Sequence, residues 1–142
     1  MKRLSIFFFF TFSLFANTQD IEREIYKTII HSLFPHKHIV LVWSDSDKEL
    51  FTAIQNVLYT TKPEKADIIF LKKPLPLHSP NLRKKILFVR NYPLLKKYRN
   101  WAIGGFFWQK GRPNILFFKN NLTRYRLTLP PSFQKYIDEG IE

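Results

Sequence analysis

The chain has 142 residues, no cysteine and a formal net charge of +12. That length suits one domain around one core, and the missing thiols exclude disulfides, thiol nucleophiles and cysteine metal sites. Stability must therefore come from packing, for which fifteen Phe supply the material.

The chain opens with Lys2 and Arg3, an apolar run from Leu4 to Phe15, and then Ala16. A basic start, a short apolar stretch and a small residue form the pattern of a secretory signal peptide over residues 1–16. The run is shorter than the roughly 20 apolar residues of a spanning helix, although an uncleaved anchor is the competing reading. Residues 17–142 are then one exported, periplasmic domain. Export changes the meaning of the charge. In the cytosol it would point to nucleic acid. Outside, no nucleic-acid partner is expected, and the natural opposites are an acidic protein, an anionic ligand or a membrane surface.

The first element of that domain is a predicted helix from Asp20 to Leu33, because Ile21, Ile25, Ile29 and Leu33 make one apolar stripe ended by Pro35. His38 to Trp43 is an almost continuous apolar run, as in a strand covered on both faces. Ser46-Asp47-Lys48-Glu49 has the spacing of a capping box, and Leu50, Ile54, Val57 and Leu58 share a helical face behind it. Strands are predicted at Ala66–Leu71 and Ile86–Val89, separated by a Pro-rich connection. A short helix follows from Tyr92 to Tyr98, with Pro93 in its first turn. Ala102–Trp108 and Asn114–Phe118 flank a five-residue loop that contains Gly111, which reads as a hairpin. Helices are predicted at Asn120–Leu129 and Ser132–Ile137. Helices alternating with apolar strands give the α/β class: one layered domain with a mixed, mostly parallel sheet and a C-terminal hairpin.

Few residues carry recognisable chemistry. There is no G-x-S-x-G elbow. Gly104 and Gly105 lie inside a strand before Phe106, which fits close backbone approach and not a phosphate cradle. His31, His36, His38 and His78 lack a carboxylate or cysteine at a metal-binding spacing, so neither a metal nor another cofactor is expected. Asp45 follows a strand at the end where open α/β sheets bind ligands. Capping of the next helix by Asp45 and Ser46 is the favoured reading, and Asp67 reads as a turn residue. No carboxylate pair suggests acid–base catalysis, so the chain reads as a non-enzyme.

Two patterns remain. Basic clusters occur at Arg83-Lys84-Lys85, at Lys96, Lys97 and Arg99, at Lys110 and Arg112, and at Arg124 and Arg126. Aromatic residues crowd the stretch from Trp101 to Trp108. Basic residues among aromatics suit single-stranded nucleic acid or a protein interface, and export favours the interface.

The run Ala66-Asp67-Ile68-Ile69-Phe70, then Ile86-Leu87-Phe88-Val89, Ile103-Gly104-Gly105-Phe106-Phe107 and Asn114 to Asn120 resembles the YfiR family of small periplasmic proteins. Ile25 to Pro35 and His38 to Ser44 are compatible with that family's opening helix and first strand. The resemblance implies regulation: binding the periplasmic sensor domain of an inner-membrane diguanylate cyclase and restraining it. Trp101, Trp108 and Arg112 are then the candidate partner anchors, since a hairpin and its preceding turn can project from a sheet edge. Regulation through cysteines does not carry over to a chain without them. The competing function is a small solute- or anion-binding protein, with a pocket near Ser44, Asp45 and Asn91.

Overall fold

The computed structural model describes residues 17–75, 82 and 84–138. The signal-peptide segment 1–16, His78 and Arg83 lie outside the described residues. Helix α1 (Thr18–Leu33) begins where the Asn17 side-chain oxygen accepts the Asp20 N–H at 2.9 Å. Its inner stripe buries Ile25, Tyr26, Ile29, Ile30 and Leu33, as the apolar spacing requires. Strand β1 (Val40–Ser44) leads to a short helix α2 (Lys48–Thr52) and then to β2 (Val57–Tyr59). Strands β3 (Ile68–Leu71) and β4 (Leu87–Val89) are buried along their whole length. Helix α3 (Tyr92–Lys97), capped by Asn91, connects β4 to the hairpin of β5 (Gly104–Gln109) and β6 (Arg112–Phe118). Helix α4 (Lys119–Arg124), a 3-10 turn over Pro131–Tyr136 and β7 (Ile137–Asp138) complete the fold.

The strands form one seven-stranded sheet in the order β2-β1-β3-β4-β5-β6-β7. All neighbours are parallel except β5 and β6. The α/β class and the mostly parallel sheet thus match the sequence pattern. One face carries α1, α2 and a ring cluster of Tyr26, Phe51, Phe70, Phe88, Phe106 and Phe117. Tyr26 stacks on Phe51 at 5.4 Å between centroids and lies 5.1 Å from Phe70. The other face buries Ile69, Leu71, Leu87 and Val89 beneath Leu94 and Leu95 of α3. Gly104 and Gly105 sit where neighbouring groups leave no room for a side chain. A Cβ on Gly104 would collide with the Leu116 carbonyl, and one on Gly105 would lie 2.6 Å from Val89 Cγ2.

Four local expectations are corrected. Val57 and Leu58 do not continue a helix: α2 stops at Thr52, Asn56 turns the chain at φ 67°, and β2 follows. Ser46 and Glu49 form no capping box. The N-cap is Asp47, held at φ 59° with no side-chain bond to the helix, because its carboxylate is engaged elsewhere. The hairpin strands run on to Gln109 and Arg112. Only Lys110 and Gly111 remain as the turn, both at positive φ (52° and 75°), which matches the right-handed strand twist. Helix α4 ends at Arg124 and not Leu129, because Arg126 takes φ 58°.

Candidate functional site at the strand ends

The sheet order reverses at β1: β2 lies on one side of it and β3, followed by the later strands, on the other. The crevice beyond the C-terminal ends of β1 and β3 is therefore the topological switch point, where open α/β sheets ordinarily take a ligand. Ser44 and Asp45 leave β1 here, Lys72 and Lys73 leave β3, and Arg90 and Asn91 leave β4.

Asp45 occupies the crevice itself. Its two carboxylate oxygens accept the backbone N–H groups of Lys72 and Lys73, each at 2.8 Å. An anion bound at this point would use those same donors. Asp45 thus caps no helix; it fastens the end of β3 to the end of β1. Asn91 fastens the same segment from the other side. Its amide N–H donates to the Lys72 carbonyl at 2.9 Å, while its oxygen accepts the Leu94 N–H and caps α3. Ser44 is buried, and its hydroxyl donates to the Ser46 carbonyl at 2.9 Å. The Tyr59 hydroxyl donates to the Ser44 carbonyl at 2.7 Å. The structure therefore brings Ser44, Asp45 and Asn91 together, but each is spent on backbone partners.

Behind them lies a charged network that sequence reasoning missed. The Arg90 side chain is 1% exposed, and its charge is met on every side. Nε donates to the Tyr26 hydroxyl at 3.1 Å and Nη1 to the Ser46 carbonyl at 2.9 Å. Nη2 donates to Glu22 Oε1 at 3.2 Å and to Asp47 Oδ2 at 2.9 Å. The Tyr26 hydroxyl donates to Glu22 Oε1, Trp108 Nε1 donates to Glu22 Oε2, and Lys72 Nζ reaches Asp47 at 3.2 Å. A buried cation requires such complete pairing. For Asp47, partial burial pushes its acidity down, but the hydrogen bonds from Arg90 and Lys72 outweigh it and hold the carboxyl below the usual range. Burial also pushes the Tyr26 hydroxyl far above its ordinary value, so it stays neutral and donates to Glu22. Burial alone would weaken the Arg90 charge, yet Tyr26, Asp47 and Glu22 together keep it firmly protonated.

The candidate partner anchors do not converge. Trp108 is half-buried on the α1 face, edge-on to Phe106 and bonded to Glu22. Trp101 lies before the start of β5, edge-on to Tyr98. Arg112 is exposed at the hairpin tip, paired in register with Gln109. Among the described residues, the exposed large aromatic ring is instead Tyr92, which is 50% accessible, leans on Phe107 and has Lys96 Nζ 5.8 Å from its centroid. Its signal in sequence was its place as the first helical residue, beside Pro93, with Lys96 one turn on.

At the opposite end of the sheet, a hollow of about 240 Å³ is lined by Arg99, Lys119, Arg124, Asn121 and Asp138. His31 and His36 border an open groove beside α1, and the His31 ring bonds to the Gln55 carbonyl. Among the described residues, no three His, Asp or Glu side chains are grouped to hold a metal ion. Among the same residues, no helix is long and apolar enough to cross a membrane. Asp67 is more than a turn residue: it accepts the Leu41 N–H at 2.8 Å and pairs with Lys37. No protein-family model matches the chain, and no curated protein matches it.

Proposed function

We propose that the chain is a non-catalytic interaction protein that works outside the cytoplasm by binding the sensor domain of a membrane signalling protein. A diguanylate cyclase is the partner type that the resemblance to the YfiR family implies. The observation that carries this reading is the closed switch point. Asp45 occupies the Lys72 and Lys73 amides at the crevice, and the Asn91 and Arg90 side chains donate to protein acceptors. A domain that seals its own ligand crevice has its surface left for function.

That surface is strongly basic. Lys72, Lys73, Lys96, Lys97, Lys110 and Arg112 are all exposed. Such charge speeds encounter with an acidic partner and makes it salt-sensitive. Tyr92 and the hairpin tip supply the contacts that outlast the encounter. The regulatory effect is a population shift: the domain favours the partner conformation to which it binds more tightly. The test is a pull-down from detergent-solubilised inner membrane of the same organism at low and moderate salt. One sensor-type membrane protein, retained at low salt and weakened at moderate salt, supports the reading. Recovery of no membrane protein contradicts it.

A second reading is favoured by the basic hollow of Arg99, Lys119 and Arg124, which has the charge for a small polyanion. Saturable calorimetric binding of inorganic phosphate or citrate, abolished by Arg124→Ala, would support that reading over the first.

A further inference from the structure

The charge of the chain is divided along its length. Residues 17–67 carry six Lys and Arg against eight Asp and Glu. Residues 68–137 carry fifteen Lys and Arg and no acid at all. The sheet keeps the two parts side by side: β2 and β1 come from the first, and β3 to β6 follow in order from the second. The acids of the first part lie on α1, in the loop and helix after β1, and just before β3.

Helix α3 belongs to the basic part. Leu94 and Leu95 pack on the sheet, so Tyr92, Pro93, Lys96 and Lys97, all exposed, form its outer side. Lys96 Nζ stands 5.8 Å from the Tyr92 centroid, and Lys97 Nζ stands 5.8 Å from that of Tyr98. The exit of β3 runs beside the helix and is tied to it at both ends. The Lys72 carbonyl accepts from Asn91, the N-cap, and the Leu75 N–H donates at 2.9 Å to the hydroxyl of Tyr98, the C-cap. Lys73 and Pro74, between those bonds, are exposed, as is Arg99 after the C-cap. Two acids reach this segment, and both are engaged. Asp45 holds the Lys72 and Lys73 amides, and Asp47 pairs with Lys72 and Arg90. Lys73, Lys96, Lys97 and Arg99 thus accompany a tyrosine that is 50% exposed and rests on Phe107.

The make-up of this surface selects its partner. Protein interfaces are enriched in Arg and depleted of Lys, because the guanidinium fork grips a carboxylate and the ammonium does not. Three of these four cations are lysines. Lysines are mobile point charges, suited to phosphates spread over a lipid surface. A tyrosine among them has the amphipathic ring that settles at headgroup level. We infer that the outer side of α3 is a docking surface for an anionic phospholipid bilayer. Tyr92 sits among the headgroups, and Lys73, Lys96, Lys97 and Arg99 lie over their phosphates. The inference goes beyond the sensor reading, since lipid contact needs no protein partner. It gathers the domain on the surface where a membrane partner lies.

The test sediments the full-chain protein, purified as the cell delivers it, with two kinds of vesicle. One is phosphatidylcholine alone, and the other is phosphatidylcholine mixed equally with phosphatidylglycerol. Binding to the mixed vesicles is expected to be about tenfold tighter or more, and to be released by high salt. Replacing Lys73, Lys96 and Lys97 together by Gln is expected to weaken it about a hundredfold with an unchanged circular dichroism spectrum. Removing the same charge from the acidic half, by Lys48→Gln, Lys62→Gln and Lys65→Gln, is expected to weaken it by less than about fivefold. Tyr92→Ala is expected to weaken it about threefold or more and to leave its salt dependence unchanged. Equal binding to the two kinds of vesicle overturns the inference, and so does an equal loss from the two sets of lysine replacements. A protein that ignores the mixed vesicles also overturns it, and saturable binding of soluble polyglutamate by that protein would give this face to an acidic protein instead. The vesicles hold no sensor protein, so these outcomes stand apart from that of the pull-down.

Discussion

Replacing Arg90 with Met keeps an unbranched apolar stem beneath the Tyr26 and Phe51 rings and removes the charge. The guanidinium carbon sits 5.5 Å from the Tyr26 centroid and 5.7 Å from the Phe51 centroid, so the stem still has its packing partners. Glu22 and Asp47, which share Nη2 at 3.2 and 2.9 Å, are left as neighbouring like charges. Removing one member of a buried ion pair costs about 3–5 kcal/mol. The Glu22 side chain is 17% exposed and that of Asp47 32%, so water screens part of the loss. The lower end applies, about 3 kcal/mol. In urea, with a slope of about 1.5 kcal/mol/M, the midpoint falls by roughly 2 M. Arg90→Lys keeps the charge but not the fork that serves four acceptors, and should lose about half as much. Adding Glu22→Gln and Asp47→Asn to Arg90→Met removes the stranded charges and should restore about 1 kcal/mol or more. Denaturation followed by tryptophan fluorescence and circular dichroism measures all of these. An Arg90→Met protein within about 0.5 kcal/mol of wild type would refute the argument that this network locks the strand ends.

Further outcomes follow from single contacts. Gly104→Ala drives a Cβ into the Leu116 backbone carbonyl, whereas Gly105→Ala meets the movable side chains of Val89 and Leu95. Thermal unfolding should show a loss of about 3 kcal/mol for the first and 1–2 kcal/mol for the second, and the reverse order would contradict the packing described. Asp45→Ala deprives the Lys72 and Lys73 amides of their acceptor. Those two amides should exchange with deuterium about tenfold faster, and unchanged protection would mean that another group holds the loop. The Asp47 carboxyl is held below its ordinary value in the folded state. Its stabilising contribution is therefore complete above the unfolded value and is lost as pH falls through the folded one. Asp47→Asn should flatten the fall in stability as pH drops below the ordinary carboxylate range, and an identical acid limb would exclude Asp47 as its source.

How much of this was legible in the sequence depended on how local each cause was. The apolar runs at Val40, Ile68 and Leu87 declared buried strands, because strands covered on both faces leave no polar positions. The stripe from Ile25 to Leu33 declared α1 in the same way. Strand β2 was hidden because Leu50, Ile54, Val57 and Leu58 satisfy a helical spacing while belonging to two elements. The Asn56 turn that separates them carries only a weak composition signal. The supposed capping box failed for a tertiary reason: Arg90, 43 residues away, claims the Asp47 carboxylate. Glu22 is 68 residues from Arg90 and 86 from Trp108, so no spacing rule joins them. Asp45 was legible as a strand-end carboxylate. Its actual partners, two amides on β3's exit, required the sheet order to be known.

The central claim is that this domain acts through its surface on a membrane protein and holds no solute at its strand ends. Native mass spectrometry of the protein isolated with its own cell envelope, under gentle detergent and low salt, tests both halves at once. The account predicts a complex with one membrane sensor protein and no added small-molecule mass on the domain. A domain that leaves the envelope alone, carrying a bound small molecule that Asp45→Ala releases, would contradict it.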